Sequence, residues 1–345
     1  MSRSGPDPAF ILGVDAGGTK SEALLADTAG RVIGYGLCTF TDPSSGRGPG
    51  GSGRTGDSVR TAVSRALKGF GGSATGDLLI IGRGRLPEGA VPSGMFRTVR
   101  HRAVSEQDAA LALAGSSVGV VVLAGTGALV FGRTEDGREL LLDALGPLLG
   151  DAGSAFDIGL RALRKTARAS WHPRHATSLD GPLQRACASH VGGHARFDLV
   201  SYMLAYRDRS EIASLARIVD EHAEAGDAVA CSVLREAADE ISETLYDVVE
   251  RLDIRNAELP LVAAGSVARK SRLYWQRLCS RAREFAPLLR PVVPEVPDVV
   301  GMVLAGADAA ETDARFAENL RAGVRAAMGA VAGAMERGHH AISLS

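Results

Sequence analysis

The sequence predicts an α/β protein built from two domains of similar design. The chain has 345 residues, which suits two domains of ~150 residues each. An apolar run, a glycine-rich turn and a second apolar run occur after residue 10, and the same pattern returns about 110 residues later. Segments with helical periodicity follow each of these groups. We therefore expect two lobes, each with a sheet and packed helices.

The first lobe is predicted to begin with a three-stranded antiparallel meander at residues 10–36. A glycine cluster and the turn Asp27-Thr28-Ala29-Gly30 separate its apolar runs, and such turns join antiparallel neighbours. The glycine-rich residues 41–57 predict a long loop of unassigned role, followed by a helix at 58–67. A further strand is predicted at 78–81, then polar, proline-broken sequence.

Next come a short helix from about Gln107 to Leu113 and the second strand group. That group is predicted as strands at 119–123, 128–131 and 139–142, with turns at 124–127 and 135–137. Helices are expected in most of the sequence that follows, with one strand at 261–264 and a weakly apolar helix between 314 and 335. One long helix should pack a single face into the second lobe. That face consists of Leu234, Ala238, Ile241, Leu245, Val248 and Leu252.

Composition and charge exclude several functional classes. The formal net charge is -1, with 39 basic and 40 acidic residues intermixed along the chain, so we expect no binding of nucleic acid or acidic membranes. Four cysteines lie far apart without a C-x-x-C pair, which predicts neither a zinc site nor a disulfide framework. The amino terminus lacks the order of a signal peptide, and no uncharged apolar run reaches ~18 residues. We expect a cytoplasmic protein.

The segment Asp15-Ala16-Gly17-Gly18-Thr19-Lys20 has the composition of a phosphate-binding hairpin. Its glycines let backbone N–H groups approach an anion closely, and its carboxylate stands at the end of a strand. Asp15 can orient a hydrated Mg²⁺, which is usually held by one or two carboxylates together with nucleotide phosphates. A structural hairpin would use the same glycines. The second turn, Gly125-Thr126-Gly127, favours a pair of turns that clamp a polyphosphate.

These two turns, with Gly265-Ser266-Val267 after an apolar strand, resemble the phosphate-1, phosphate-2 and adenosine motifs of the actin/hexokinase/Hsp70 superfamily. Gly150-Asp151-Ala152-Gly153-Ser154 is similar to the G-D-E-G-S signature of the BadF/BadG/BcrA/BcrD family, which includes the animal-type N-acetylglucosamine kinases. The four motifs occur in order over residues 11–307, nearly all of the chain. The resemblance implies two actin-like (ribonuclease H-like) lobes with an ATP cleft between them.

The resemblance also implies an organisation and a set of ligands. It places an amino-terminal lobe at residues 1–113, with a carboxyl-terminal helix at 328–345 as a candidate addition, and a second lobe at 114–327. It implies ATP and Mg²⁺ as cofactors, a small sugar-like acceptor as substrate, and a homodimer. No nucleic acid or membrane partner is expected.

Individual site residues follow from the matched motifs. Asp15 is assigned to the metal, and Asp108 to the base that takes a proton from the acceptor hydroxyl, although Ser105-x-x-Asp108 is also a helix capping box. Asp151 and Gly146 are assigned to the acceptor, but Asp151 also suits a turn aspartate. The predicted ATP contacts are Gly17, Gly18, Thr19, Lys20, Gly125, Thr126, Gly127, Ala213, Gly265 and Ser266. Ala213 is equally explained by helix packing.

The chain departs from the kinase pattern at positions that contact the sugar. Ala128 and Leu129 replace a serine and an asparagine, Leu145 replaces a tryptophan, and Ala152 replaces the glutamate of the signature. An asparagine that binds N-acetylglucosamine has no clear counterpart, which leaves Ser52 or Thr55 as weak substitutes. Because a site built to hydrogen-bond a group rejects analogues that lack it, these losses predict a different or less polar acceptor.

Three functional hypotheses remain open from the sequence. The first is a kinase that transfers the γ-phosphoryl group of Mg-ATP to a hydroxyl of a sugar, an amino sugar or a sugar-like cyclitol. The second is an ATPase that activates a partner enzyme through an iron–sulfur cluster, but Cys187, Cys231 and Cys279 show no cluster-binding pattern. The third is a nucleotide-binding regulator without catalysis, against which the presence of Asp15 and Asp108 weighs.

Overall fold

A computed structural model describes residues 9–17, 20–39, 51–68, 70, 76–169, 171–191, 202–203, 209–307 and 313–336. The chain divides into two compact units: residues 1–115 together with 295–345 form the first, and residues 116–294 form the second. The first boundary lies two residues from the predicted one. The second boundary differs from the prediction. Residues 295–327 were expected in the second lobe, but they belong to the first unit.

The strands are β1 (Phe10–Ala16), β2 (Lys20–Asp27), β3 (Val32–Thr39), β4 (Leu78–Gly82), β5 (Val99–Ala103), β6 (Gly119–Ala124), β7 (Ala128–Arg133), β8 (Glu139–Asp143), β9 (Pro260–Ala264) and β10 (Arg290–Val292). The described helices are α1 (Gly51–Leu67), α2 (Glu106–Leu113), α3 (Ala155–Thr166), α4 (Asp180–Val191), α5 (Arg209–Ser214), α6 (Ala216–Glu224), α7 (Ala228–Leu252), α8 (Gly265–Lys270), α9 (Arg272–Phe285), α10 (Asp298–Gly306) and α11 (Ala314–Glu336), with a 3-10 turn at Pro173–His175.

The two sheets share one topology, as the repeated sequence pattern predicts. The first sheet has the strand order β3-β2-β1-β4-β5 and the second has the order β8-β7-β6-β9-β10. In each, a three-stranded antiparallel meander is extended by strands that run parallel to its first strand. The predicted meanders are therefore confirmed. The α/β class of the protein is confirmed with them.

Two elements of the first unit differ from the sequence prediction. The helix predicted at 58–67 begins at Gly51, so residues 51–57 of the predicted glycine-rich loop are helical, while 41–50 lie outside the described residues. The buried residues of α1, such as Val59 and Val63, lie in the part of the helix that was predicted. Strand β5 was not predicted, because its sequence Val-Arg-His-Arg-Ala is polar and largely exposed at the sheet edge.

The carboxyl-terminal helices complete the core of the first unit. Val299 and Val303 of α10 and Phe316 and Leu320 of α11 are buried in one cluster with Leu24 of β2. Each buried aliphatic side chain contributes roughly 1.5–3 kcal/mol relative to exposure. This packing is the physical reason why residues 295–327 belong to the first unit.

Helix α7 forms the centre of the second unit, and its predicted face is confirmed. All six of the predicted apolar residues are buried in the core, none with more than 4% of its surface exposed. The side chain of Asp227 accepts a hydrogen bond from the amide of Ala230 and begins the helix, which ends at Asp253 in the left-handed conformation with φ 55°. Among the described residues no helix is long and apolar enough to cross a membrane.

Candidate active site

The predicted site residues of the first unit lie at one edge of its sheet. Strands β1, β4 and β5 are parallel neighbours, with Val14 beside Gly82 and Gly82 beside Ala103. Because parallel strands end at a common edge, Asp15, Arg83 and the chain that enters α2 follow one another there. In open α/β sheets, ligands bind outside the carboxyl ends of such strands.

Asp15 is a buried carboxylate in acidic surroundings. Its residue is 6% exposed, and no described residue donates a hydrogen bond to its side chain. Burial, followed by the charge of Asp298, raises its pKa from 3.8 to about 7, and Glu22 and Glu106 act in the same direction. The guanidinium of Arg83 opposes this rise. A carboxylate so placed gains from binding either a proton or a cation.

Arg83 connects the hairpin of Asp15 to the start of α2. Its Nη1 atom lies 2.5 Å from Oε1 of Glu106, and it also donates a hydrogen bond to the carbonyl oxygen of Ala16. Burial raises the pKa of Glu106, while Arg83 lowers it. No motif in the sequence assigns a role to Arg83. Its position directly after a buried strand was the available signal.

The hairpin itself is only partly described. The amide of Gly17 donates to the carbonyl of Lys20 at 2.9 Å, whereas Gly18 and Thr19 lie outside the described residues. The ammonium of Lys20 is 2.7 Å from Oε2 of Glu22, a buried carboxylate that also accepts a hydrogen bond from Tyr35 at 2.6 Å. Lys20 therefore has a partner within the sheet, and its predicted contact with phosphate stays a prediction.

Asp108 is the third residue of α2 and is half-buried. The hydroxyl of Ser105 accepts a hydrogen bond from the amide of Asp108 at 3.0 Å and donates one to its carboxylate at 2.7 Å. The helix cap thus uses the main chain of Asp108, and Ser105 orients the carboxylate. A structural role and an acid–base role are compatible at this residue.

In the second unit, two predicted turns meet at the ends of parallel strands. Leu123 of β6 pairs with Ala264 of β9, which places the turns at Gly125 and Gly265 side by side. Gly265 has φ +77°, and a Cβ atom there would lie 2.5 Å from the carbonyl oxygen of Ala124 and 2.8 Å from the amide nitrogen of Gly125. Only glycine fits so close an approach.

The side chains on these turns differ in exposure. Thr126 is half-buried and Ser266 is exposed, so both have a surface that a ligand can reach. Ala213 lies on α5 and is 5% exposed within the main core. Packing explains Ala213, and its predicted contact with the nucleotide stays a prediction.

Asp151 lies in the Gly150–Ser154 segment and links it to the strand that follows the turn at 125–127, which is predicted to bind phosphate. Its Oδ1 accepts a hydrogen bond from the amide of Ala128 at 3.0 Å, and its Oδ2 accepts one from Nη1 of Arg209 at 3.0 Å. The residue is 3% exposed and has φ +57°. The amide of Ala155 donates to the carbonyl of Gly125 at 2.7 Å and makes a second link. The carboxylate of Asp151 is thus largely occupied by protein donors.

Asp143 closes the loop that leads to Asp151. Its two carboxylate oxygens accept hydrogen bonds from the amides of Asp151 at 2.7 Å and Ala152 at 3.1 Å. Asp143 and Ala144 both have positive φ, 69° and 61°, and Gly146 follows with φ 81°. Non-glycine residues are uncommon in this region, and the hydrogen bonds of Asp143 hold them there. Nothing local in the sequence indicates the role of Asp143, because its partners lie eight and nine residues further along the chain.

The positions that depart from the kinase pattern differ in exposure: Ala128 is buried, Leu129 and Ala152 are half-buried, and Leu145 is exposed. Leu145 is 64% exposed, and Leu148 and Leu149 are 93% and 82% exposed. An open cavity of ≈ 340 Å³ beside them is lined by residues that include Ala152 and Phe156. Ser52 and Thr55 fall in α1 at positions whose side chains are outside the described set, so their assignment stays a prediction.

The sequence of the chain was compared with known proteins, and it matches one family. The model of the BadF/BadG/BcrA/BcrD ATPase family matches residues 12–306. The N-acetylmuramic acid/N-acetylglucosamine kinase of Clostridium acetobutylicum is 28% identical over 278 residues, which cover 75% of this chain and 85% of that kinase. The N-acetyl-D-glucosamine kinase of Dictyostelium discoideum is 26% identical over 290 residues, covering 76% of this chain and 87% of that kinase.

Solved structures share the fold. A proposed N-acetylglucosamine kinase of Chromobacterium violaceum has a TM-score of 0.60 at 23% identity, covering 87% of this chain and 99% of its own. A ROK family glucokinase of Streptomyces griseus has a TM-score of 0.50 at 17% identity, covering 86% of this chain and 98% of its own. The actin-like fold implied by the sequence motifs is confirmed.

Proposed function

The chain belongs to the BadF/BadG/BcrA/BcrD ATPase family, and we propose that it is an ATP-dependent sugar kinase. It transfers the γ-phosphoryl group of ATP to a hydroxyl of a sugar, an amino sugar or a sugar-like cyclitol. The observation that carries the proposal is the position of Asp15 and Asp108 at the carboxyl edge of one sheet, matched by the glycine turns of the second. The two curated relatives, both kinases of amino sugars by name, support the reaction class.

The nucleotide is assigned to the glycine turns. Backbone amides of Gly17 and of 125–127 would donate to phosphate oxygens, together with the hydroxyl of Thr126. Among the described residues, no three His, Cys, Asp or Glu side chains are grouped as metal ligands. Mg²⁺ keeps most of its waters, and here it would be held through the buried carboxylate of Asp15 and the phosphates. The ion supplies neutralisation of phosphate charge during transfer.

Asp108 is assigned the role of general base. The acceptor oxygen forms a new bond to the γ-phosphorus as the bond between that phosphorus and the leaving ADP oxygen breaks. The proton of the acceptor hydroxyl passes to the carboxylate of Asp108. Its hydrogen bond from Ser105 holds the carboxylate in one orientation during this step.

The acceptor is proposed to differ from N-acetylglucosamine. Ala128, Leu129 and Ala152 provide no side-chain hydrogen bonds where the resemblance expects them, and Leu145 stands where a tryptophan is expected. The carboxylate of Asp151 already binds Ala128 and Arg209. These features favour an acceptor with fewer or differently placed hydroxyl contacts.

An acceptor screen tests the proposal. ADP release should be measured with Mg-ATP over hexoses, amino sugars, their N-acetyl forms and C7 cyclitols, with Asp108→Asn as the matched inactive control. We expect at least one acceptor to give turnover that depends on Asp108. Calorimetric binding of ATP without ADP release for any acceptor would contradict the kinase and favour a nucleotide-binding regulator.

A further inference from the structure

Arg209 is a cation placed beside the second phosphate turn without an assigned role. It is the first residue of α5, and its side chain is 45% exposed, whereas that of its partner Asp151 is 5% exposed. The acidic end of this ion pair is therefore buried and the basic end faces solvent. Through Asp151, the guanidinium is linked to the amide of Ala128, the residue that directly follows Gly127.

Part of the guanidinium has no hydrogen-bond partner among the residues that the structure describes. Nη1 bonds to Asp151, and the other N–H groups of Arg209 contact no hydrogen-bond acceptor among the described residues. An arginine presents five N–H donors in a planar fork that matches the two oxygens of a carboxylate or phosphate. Asp151 also fixes the fork, so that less side-chain freedom is lost when a ligand binds.

The neighbouring carboxylate of Asp143 is bonded to donors of the protein. The carboxylate oxygens of Asp143 accept backbone amides of Asp151 and Ala152. Ala152 stands where the resemblance expects a glutamate, so one negative charge is missing beside Asp151. The side chain of Arg209 is 45% exposed beside this loop, and the chemistry that a guanidinium favours is an anionic oxygen group.

We propose that Arg209 binds an oxyanion of the reactants, either a carboxylate on the acceptor or the terminal phosphoryl group of ATP. The inference rests on the proposed kinase function and adds a specificity-determining residue to it. A carboxylate source would make the acceptor an acidic sugar. If the oxyanion is the terminal phosphoryl group, Arg209 would stabilise the negative charge on the transferred group.

Binding measurements test the inference without requiring turnover. Calorimetry on wild-type protein, Arg209→Gln and Arg209→Lys should use ATP, ADP, and acid–neutral acceptor pairs such as glucuronic acid with glucose and N-acetylmuramic acid with N-acetylglucosamine. Arg209→Lys keeps a positive partner for Asp151 and so guards against an effect on folding. Arg217→Ala, on α6 with a 75% exposed side chain paired to Glu221, is the matched control.

For a carboxylate source, we expect Arg209→Gln to weaken binding of the acid by on the order of 10- to 100-fold and of its neutral partner by less than about threefold. For a phosphoryl source, we expect the same selective loss for ATP relative to ADP. Arg209→Lys should remain folded and show part of this loss of affinity. Arg217→Ala should show no loss of affinity. Equal changes for acid and neutral acceptors, together with equal changes for ATP and ADP, would overturn the inference. Failure of the kinase proposal is seen separately, as absence of ADP release by the wild-type protein.

Discussion

Ser105 bonds to Asp108 twice, once to its amide at 3.0 Å and once to its carboxylate at 2.7 Å. The hydrogen bond from the amide caps the start of helix α2. The hydrogen bond to the carboxylate orients the group proposed as general base. The two functions reside on different atoms of one residue, so substitutions can separate them.

We expect Asp108→Asn to lower turnover by ~10²–10⁴-fold, because an amide cannot accept the acceptor proton. Its main-chain amide still bonds to Ser105, so the melting temperature and ATP affinity should be retained. Steady-state ADP release and calorimetry measure these quantities. The control, Ser105→Ala, loses the helix cap and should cost about 1 kcal/mol of stability, with a smaller loss of turnover. Near-normal turnover of Asp108→Asn would contradict the assignment of the base.

The stability of the ligand-free protein should depend on pH through Asp15. Its pKa is about 7 in the folded protein, against 3.8 ordinarily, so the folded state binds the proton more tightly than the unfolded chain. The contribution of Asp15 is fully present below about pH 4 and is lost as the pH rises through about 7. Asp15→Asn avoids the buried charge, and its stability gain over wild type should grow across this range, to an upper limit on the order of 4 kcal/mol.

Denaturation of both proteins without ligands between pH 4 and 8 measures this difference. Asp247→Asn, which changes an exposed carboxylate on α7, is the control and should show no such trend. A constant difference between Asp15→Asn and wild type across the range would refute the prediction.

Gly265→Ala should weaken ATP binding by at least on the order of tenfold, because its Cβ would force the adjacent turn at Gly125 to move and lose amide hydrogen bonds. Gly137→Ala is a matched control: Gly137 also has positive φ, +84°, but nothing lies within 4 Å of an added Cβ. It should cost only about 1–2 kcal/mol of stability, with ATP affinity unchanged. Calorimetry of ATP binding to both variants separates the effect of the close Cβ contact from the effect of the positive φ angle. Equal ATP affinities would argue against a nucleotide site at this turn.

Lys20→Met should destabilise the first unit, because Glu22 is buried and would lose its cation. Lys20 is 41% exposed, so we expect about 1–2 kcal/mol rather than the larger loss typical of a fully buried pair. ATP affinity should change by less than about threefold, within the range of indirect effects. In the double variant Lys20→Met with Glu22→Gln, no buried charge is left unpaired and part of the stability should return. An unchanged melting temperature with a large loss of ATP affinity would contradict this expectation and support the predicted phosphate contact of Lys20.

The sequence predicted those parts of the fold that depend on local pattern. The meanders follow from apolar runs bounded by turn residues, and the buried face of α7 follows from helical spacing. Strand β5 was missed because its sequence is polar and largely exposed. The first turns of α1 were missed because their glycines and polar residues are typical of a loop. Nothing local indicates which sheet α10 covers.

The candidate site, too, was predicted from the sequence only in part. Motif order identified Asp15, Asp108 and the turns at Gly125 and Gly265, since each is a short contiguous pattern. The ion pairs of Arg83 with Glu106 and of Arg209 with Asp151 were not predicted, because the partners lie far apart along the chain. Such pairs are set by tertiary structure alone.

The interrupted order of the first unit has a consequence for synthesis on the ribosome. The sheet of β1–β5 emerges first, but α10 and α11, which cover one of its faces, emerge only after residues 116–294 have been made. At common elongation rates this interval is roughly 10–40 s. The second unit is continuous and can fold during that time, while apolar residues such as Leu24 await their cover. The nascent chain should therefore depend on chaperones most strongly before its last helices appear.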